Sequence, residues 1–167
     1  GDAYGKLAGL PDSETNDQEK AAKLMTLQRV LAAVKLRDAG DAKVAAKTLG
    51  QIIKQHPQSV EAHRGYIATK VMLGGGEEII KRYAALAKKS PDDVIIGYSY
   101  GLALTYGKKP VFSDIINRLE KAVRQRPDIS YFHQTLAWSH EQFETKGDGG
   151  KGHLEQAARH YQTALSL

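Results

Sequence analysis

Three prolines, Pro57, Pro91 and Pro127, cut the sequence at separations of 34 and 36 residues. Each closes a basic, amphipathic stretch, over 45–57, 79–91 and 115–127. Leu49, Tyr83 and Leu119 hold the same place in the three stretches, and Ile52, Leu86 and Ala122 follow three residues later. A fourth copy, over 157–165, puts Tyr161 and Ala164 in those places. Apolar residues at three- and four-residue steps lie on one face of a helix. A unit recurring at a fixed interval in this size range builds its core by stacking copies of itself.

A second apolar-periodic stretch precedes each of these helices, over about 17–39, 59–73, 91–106 and 128–144. Gly40-Asp41, Gly74-Gly75-Gly76, Gly107 to Pro110 and a glycine-rich loop over 146–152 separate the two stretches of each pair. Glycine ends helices because it accepts a left-handed backbone, and proline cannot continue one. Asp and Ser beside the prolines offer N-caps to the next pair. Alternation of β-branched residues is nowhere sustained, so strands are not expected. The sequence predicts an all-α chain of about eight helices in four helix-turn-helix units, over 18–57, 58–91, 92–127 and 128–167. These form one domain, and 1–17 is expected to be an irregular arm.

Composition narrows the function. With 167 residues, 41% of them hydrophobic and 26% charged, the chain has a globular balance. It contains no cysteine, which removes disulfides, thiolate metal sites and cysteine nucleophiles. The longest uncharged stretch, 94–107, includes Ser99, Thr105 and three tyrosines, too short and too polar to span a bilayer. No basic segment followed by an apolar core opens the chain, so no signal peptide is expected. The first residue is Gly rather than Met, which suggests a mature or excised form. The net charge of +5 is uneven: residues 18–127 are basic and both ends are acidic.

Two helices closed by a proline every 34 residues resemble the tetratricopeptide repeat (TPR). The best copy has Ala33, Leu36, Gly40-Asp41, Ala45, Leu49, Ile52 and Pro57. The second has Lys70 where the family usually has a large aromatic, and the third and fourth carry extra residues in their inter-helix turns. The resemblance covers about 20–167 and implies a right-handed superhelical α-solenoid whose first helices line a concave groove. It implies a non-enzymatic scaffold or adaptor with a protein or peptide partner. Groove positions at steps of three, four and three are Leu27, Val30, Val34 and Arg37, then Glu61, Arg64, Ala68 and Val71. They continue with Ile95, Tyr98, Leu102 and Thr105, then Tyr131, Gln134, Trp138 and Glu141. Of these, Arg37, Arg64, Tyr98, Leu102, Thr105, Tyr131, Gln134 and Trp138 form the expected partner-binding set, since Trp, Tyr and Arg dominate interface energetics. The same large rings also serve packing between repeats. Some TPR domains hold the C-terminal carboxylate of chaperone tails with Lys, Asn and Arg. Val30, Val34, Ile95 and Ser99 occupy the matching places here, so that partner class is not expected.

Small residues at Ala33, Ala45, Gly101, Ala122, Ala137, Ala157 and Ala164 suit close helix approach. The array ends at Leu167 on an amphipathic helix without a polar cap, which suggests a chain that continues or an end covered by another copy. Homo-oligomerisation is therefore the alternative function. A third reading takes Lys81, Arg82, Lys88, Lys89, Arg118, Lys121, Arg124 and Arg126 as a basic convex face for nucleic acid or anionic lipid. Aromatic interleaving is missing there, so a solvated face is favoured and no nucleic-acid partner is expected.

Gly147-Asp148-Gly149-Gly150-Lys151-Gly152 formally matches a phosphate-binding glycine pattern, but it follows a helix rather than a strand. His140-Glu141-Gln142-Phe143-Glu144 is half of a zinc-protease helix, with Glu144 in place of the second histidine. Four of the six histidines, His133, His140, His153 and His160, lie in the last unit, and seven residues separate His133 from His140. Packing or surface roles are favoured for them over a metal site. No catalytic, cofactor or metal residue is expected. The missing cysteine and the breadth of the family point to a bacterial envelope or periplasmic setting, with the cytoplasm as the alternative.

Overall fold

A computed structural model of the chain describes residues 12–146 and 152–167. Among the described residues there are eight α-helices and no strand: α1 (Asp12–Asp38), α2 (Ala42–Gln55), α3 (Val60–Met72), α4 (Gly76–Lys89), α5 (Val94–Leu104), α6 (Phe112–Gln125), α7 (Ser130–Thr145) and α8 (His153–Ser166). The all-α helical repeat expected from the proline interval is what the chain forms. Helix α1 begins at Asp12, so residues 12–17, expected to be irregular, are helical. The rest of that arm lies outside the described residues, as do 147–151 of the glycine-rich loop.

Local chemistry sets the helix ends. Gly40 follows α1 with φ +99°, a left-handed conformation that costs any other residue strain. Asp93 caps α5 through Oδ1, which accepts the Ile95 and Ile96 amides at 2.9 and 3.1 Å. Pro57 and Pro127 carry a device that sequence reasoning missed. The Nε2–H of buried His63 donates to the Pro57 carbonyl, and that of buried His133 donates to the Pro127 carbonyl, both at 2.9 Å. Each histidine stands six residues after its proline, a repeated offset that could have revealed it. After Pro91 the same offset falls on Gly97.

The chain divides into two compact units, one ending at Gly65 and the other beginning at Tyr66. In the first, α1 packs on α2, and Val30, Ala33, Ala45, Leu49 and Ile52 are buried. In the second, each helix from α4 to α8 packs on the next. Its core includes Ile79, Tyr83, Ile95, Tyr98, Ile115, Leu119, Phe132 and Leu136. Leu49, Tyr83 and Leu119, which share one repeat position, are all fully buried. Tyr161 at that position is 37% exposed, and its hydroxyl donates to Glu141 at 3.1 Å. All seven small residues expected at close approaches are buried. At Gly101 the reason is explicit: a Cβ there would lie 3.0 Å from Leu119 Cδ2. Where the family usually has an aromatic, Lys70 reaches Glu78 at 3.3 Å across the α3–α4 turn.

One core polar group is left over. Ser99 is fully buried and its Oγ has no hydrogen-bond partner among the described residues. A buried hydroxyl without a partner keeps its desolvation cost. Ser99→Ala should therefore leave stability unchanged or raise it by up to about 1 kcal/mol, read as the urea midpoint. A loss above about 1 kcal/mol would show that the hydroxyl is paired.

Candidate partner-binding surface

In the first unit, Leu27 on α1 and Glu61 at the start of α3 line one cleft of about 630 Å³. Ala22, Lys23 and Thr26 of α1 share the wall with His56 and Ser59 before α3. Glu61 is held in place, since the Ser59 hydroxyl donates to its carboxylate at 3.2 Å. The same Ser59 Oγ accepts the Ala62 amide. Arg37 is half-buried and already engaged by its neighbour: its guanidinium meets the Asp38 carboxylate at 2.8 Å. Arg64 is half-buried on α3. Val30 is buried and belongs to the core.

In the second unit the expected set separates into two groups. Tyr98 is fully buried, so it is a core residue rather than a groove residue. Its ring stacks on Phe132 with centroids 4.3 Å apart. The Thr135 hydroxyl donates to the Tyr131 carbonyl at 2.9 Å and accepts from the Tyr98 hydroxyl at 2.8 Å. Leu102 and Ile95 are buried as well. The physical reason is α5 itself: Val94–Leu104 has no charged residue and is covered on both sides by α4 and α6. Thr105 is half-buried just past the end of that helix, with its hydroxyl bonded to the Leu102 carbonyl.

Helix α7 keeps the second group at the surface. Tyr131, Trp138 and Glu141 are half-buried and Gln134 is exposed, at helical steps of three, four and three along one strip. The Trp138 ring meets the Phe112 ring edge-on at 5.9 Å, which holds the indole against α6 while part of it remains accessible. A large ring anchored at one edge and open at the other has the burial and low mobility of an interface anchor.

Four of the basic residues expected on a convex face are engaged within the second unit, two by aromatic rings and two by carboxylates. Arg82 lies over the Tyr66 ring at 5.0 Å and Arg118 over the Tyr100 ring at 4.7 Å. Arg124 reaches Glu120 at 3.5 Å, and Arg126 grips Asp128 through two bonds of 2.9 and 2.8 Å. The four histidines of the last unit pair across α7 and α8. Nδ1 atoms of His133 and His160 are 3.0 Å apart, and those of His140 and His153 are 2.8 Å apart. Among the described residues, no group of three or more His, Asp or Glu side chains converges as metal ligands would. No described helix is long and apolar enough to cross a membrane.

No family model and no curated protein matches the chain. Solved structures do. A thermophilic TPR protein of Thermus thermophilus superposes with a TM-score of 0.57 at 16% identity, covering 85% of this chain and 74% of that one. Residues 41 to the end of MamA from Desulfovibrio magneticus RS-1 superpose with a TM-score of 0.50 at 19% identity, covering 85% and 75%. At such identities the likeness speaks to fold, and it agrees with the proline interval and the paired helices: the chain has a TPR-type fold.

Proposed function

We propose that this chain is a non-enzymatic protein–protein interaction scaffold that holds a peptide or partner protein on the outward faces of its first helices. The observation that carries the reading is the α7 strip of Tyr131, Gln134 and Trp138, which stays accessible while its neighbours enter the core. The cleft beside Leu27 and Glu61 is a second surface of the same kind in the first unit. The partner's apolar side chains are buried against the Trp138 and Tyr131 rings, and Gln134 hydrogen-bonds its backbone. Truncating one central aromatic anchor typically costs about 2 kcal/mol or more in binding, roughly thirty-fold in Kd. With a peptide selected by display against the chain, Trp138→Ala should weaken binding by about that factor while the helical circular-dichroism signal is kept. Unchanged affinity in the folded variant sinks the reading. Binding through the strip should also survive added salt, whereas a basic-face interaction loses affinity steeply.

A second reading, self-association, has its own observation. Leu154, Ala158, Tyr161 and Leu165 form an exposed stripe along α8, and Leu24, Met25 and Leu31 are exposed on α1. Light scattering across a concentration range separates the two readings. A constant monomer mass leaves the strip for a heterologous partner, and a rising mass assigns the stripes to another copy.

A further inference from the structure

Helix α8 buries smaller side chains than the other second helices: α4 also buries two residues, but they are Ile79 and Tyr83. Helix α2 buries Ala45, Ala46, Leu49, Ile52 and Ile53, and α6 buries Phe112, Ile115, Ile116, Leu119 and Ala122. The buried residues of α8 are two alanines, Ala157 and Ala164. Two methyl groups give little of the transfer free energy that docks a helix. Four histidines lie at the junction of α8 with α7, beside the Ser130 hydroxyl that donates to the Ala164 carbonyl. His133 and His140 stand seven residues apart on α7, and His153 and His160 repeat that spacing on α8. Because the helices run antiparallel, the rings meet as His133 with His160 and His140 with His153. The His140 and His160 rings are nearly parallel, with centroids 5.9 Å apart, which joins the two pairs into one row.

These contacts depend on protonation. A carbonyl only accepts, so the His133 proton that meets Pro127 is on Nε2, and its Nδ1 carries a lone pair. His160 must then donate from Nδ1. In the other pair one Nδ1 donates to the other, and His140 Nε2 is buried with no hydrogen-bond partner among the described residues. When both members of a pair are charged, Nδ1–H faces Nδ1–H and the bond cannot form. Burial, and then the neighbouring His153 and His160, lower the His140 pKa from 6.5 to about 4. Burial, and then His133, lower that of His160. Glu120 of α6 acts in the opposite direction on both rings, and Arg124 lies 3.5 Å from its carboxylate. The other groups nearby are committed: Glu141 accepts from Tyr161, Glu144 accepts the Leu154 amide, and the Phe143 ring edges His153.

We infer that the four histidines form a proton-operated latch, closed at neutral pH and opened by mild acid, which releases α8 and uncovers the α7 face carrying Ser130, His133 and His140. The released helix binds protons that the docked helix refuses, so acid favours release. The effect sets in around pH 6.5, grows as the pH falls towards about 4, and fades within about one pH unit above 6.5. His140 alone should raise the release equilibrium about twenty-fold between pH 7 and pH 5.

Amide hydrogen exchange on the full chain, corrected for the intrinsic effect of pH on exchange rates, tests this. Protection in α8 should fall about twenty-fold from pH 7 to pH 5, while protection in α6 changes by less than about three-fold. The double variant H140Q/H160Q removes one titratable ring from each pair, so neither pair can become doubly charged, and its α8 protection should fall by less than about three-fold across that range. An equal loss in α6 and α8, or an undiminished loss in the double variant, would overturn the latch. If the variant does not fold, ring-proton NMR of the unmodified chain decides. His140 should stay neutral while α8 is protected, and titration near 6.5 with α8 still protected would overturn the latch as well.

Discussion

Ala45→Asp should unfold the α1–α2 pair, at a cost above about 4 kcal/mol. Ala45 is fully buried on α2, as is Ala33 on the helix packed against it. The substitution adds volume where helices touch and places a carboxylate away from water. Among the described residues, no basic side chain is buried in either helix to meet it. The carboxylate must be protonated, or the pair must separate to hydrate it. Urea titration followed by circular dichroism reads the loss directly. A change smaller than about 1.5 kcal/mol would mean that this crossing is not close-packed.

Tyr98→Ala should destabilise the second unit by about 3–5 kcal/mol, the range for removing a buried aromatic. The ring is fully buried and stacked on Phe132, and its hydroxyl joins the Thr135–Tyr131 chain. Tyr98→Phe keeps the stack and loses one hydrogen bond, so its cost should be about 1 kcal/mol. The pair of substitutions distinguishes a core tyrosine from a groove tyrosine. A groove residue would lose peptide affinity on truncation and leave the urea midpoint in place. A shift below about 1 kcal/mol for Tyr98→Ala would return Tyr98 to the partner-binding set.

How legible each feature is in the sequence depends on contrast within each helix. Helices α2 and α6 alternate charged and apolar residues sharply, so their buried positions, Leu49, Ile52, Leu119 and Ala122, can be read from spacing. Helix α5 offers no such contrast. Val94–Leu104 lacks any charged residue, so a three-four-three step cannot say which of Ile95, Tyr98 and Leu102 faces outward, and all three face inward. Helix α7 mixes Gln134, Glu141 and aromatics, and that contrast marks the strip that reaches the surface. The start of α1 escapes a reading by periodicity, because residues 12–17 are polar and carry no apolar period, although helices form there without one. The histidine row needs two facts that no single helix contains: the same seven-residue spacing in α8, and the antiparallel register that brings the two ladders together.

Amide and side-chain chemical-shift mapping with a display-selected peptide, at low and at moderate salt, tests the scaffold reading most directly. The account predicts perturbations centred on Tyr131, Gln134 and the Trp138 indole N–H, unchanged in position as salt rises. Perturbations centred on Lys81, Lys88 and Lys121 that vanish with salt would contradict it and assign binding to the basic face of α4 and α6 instead.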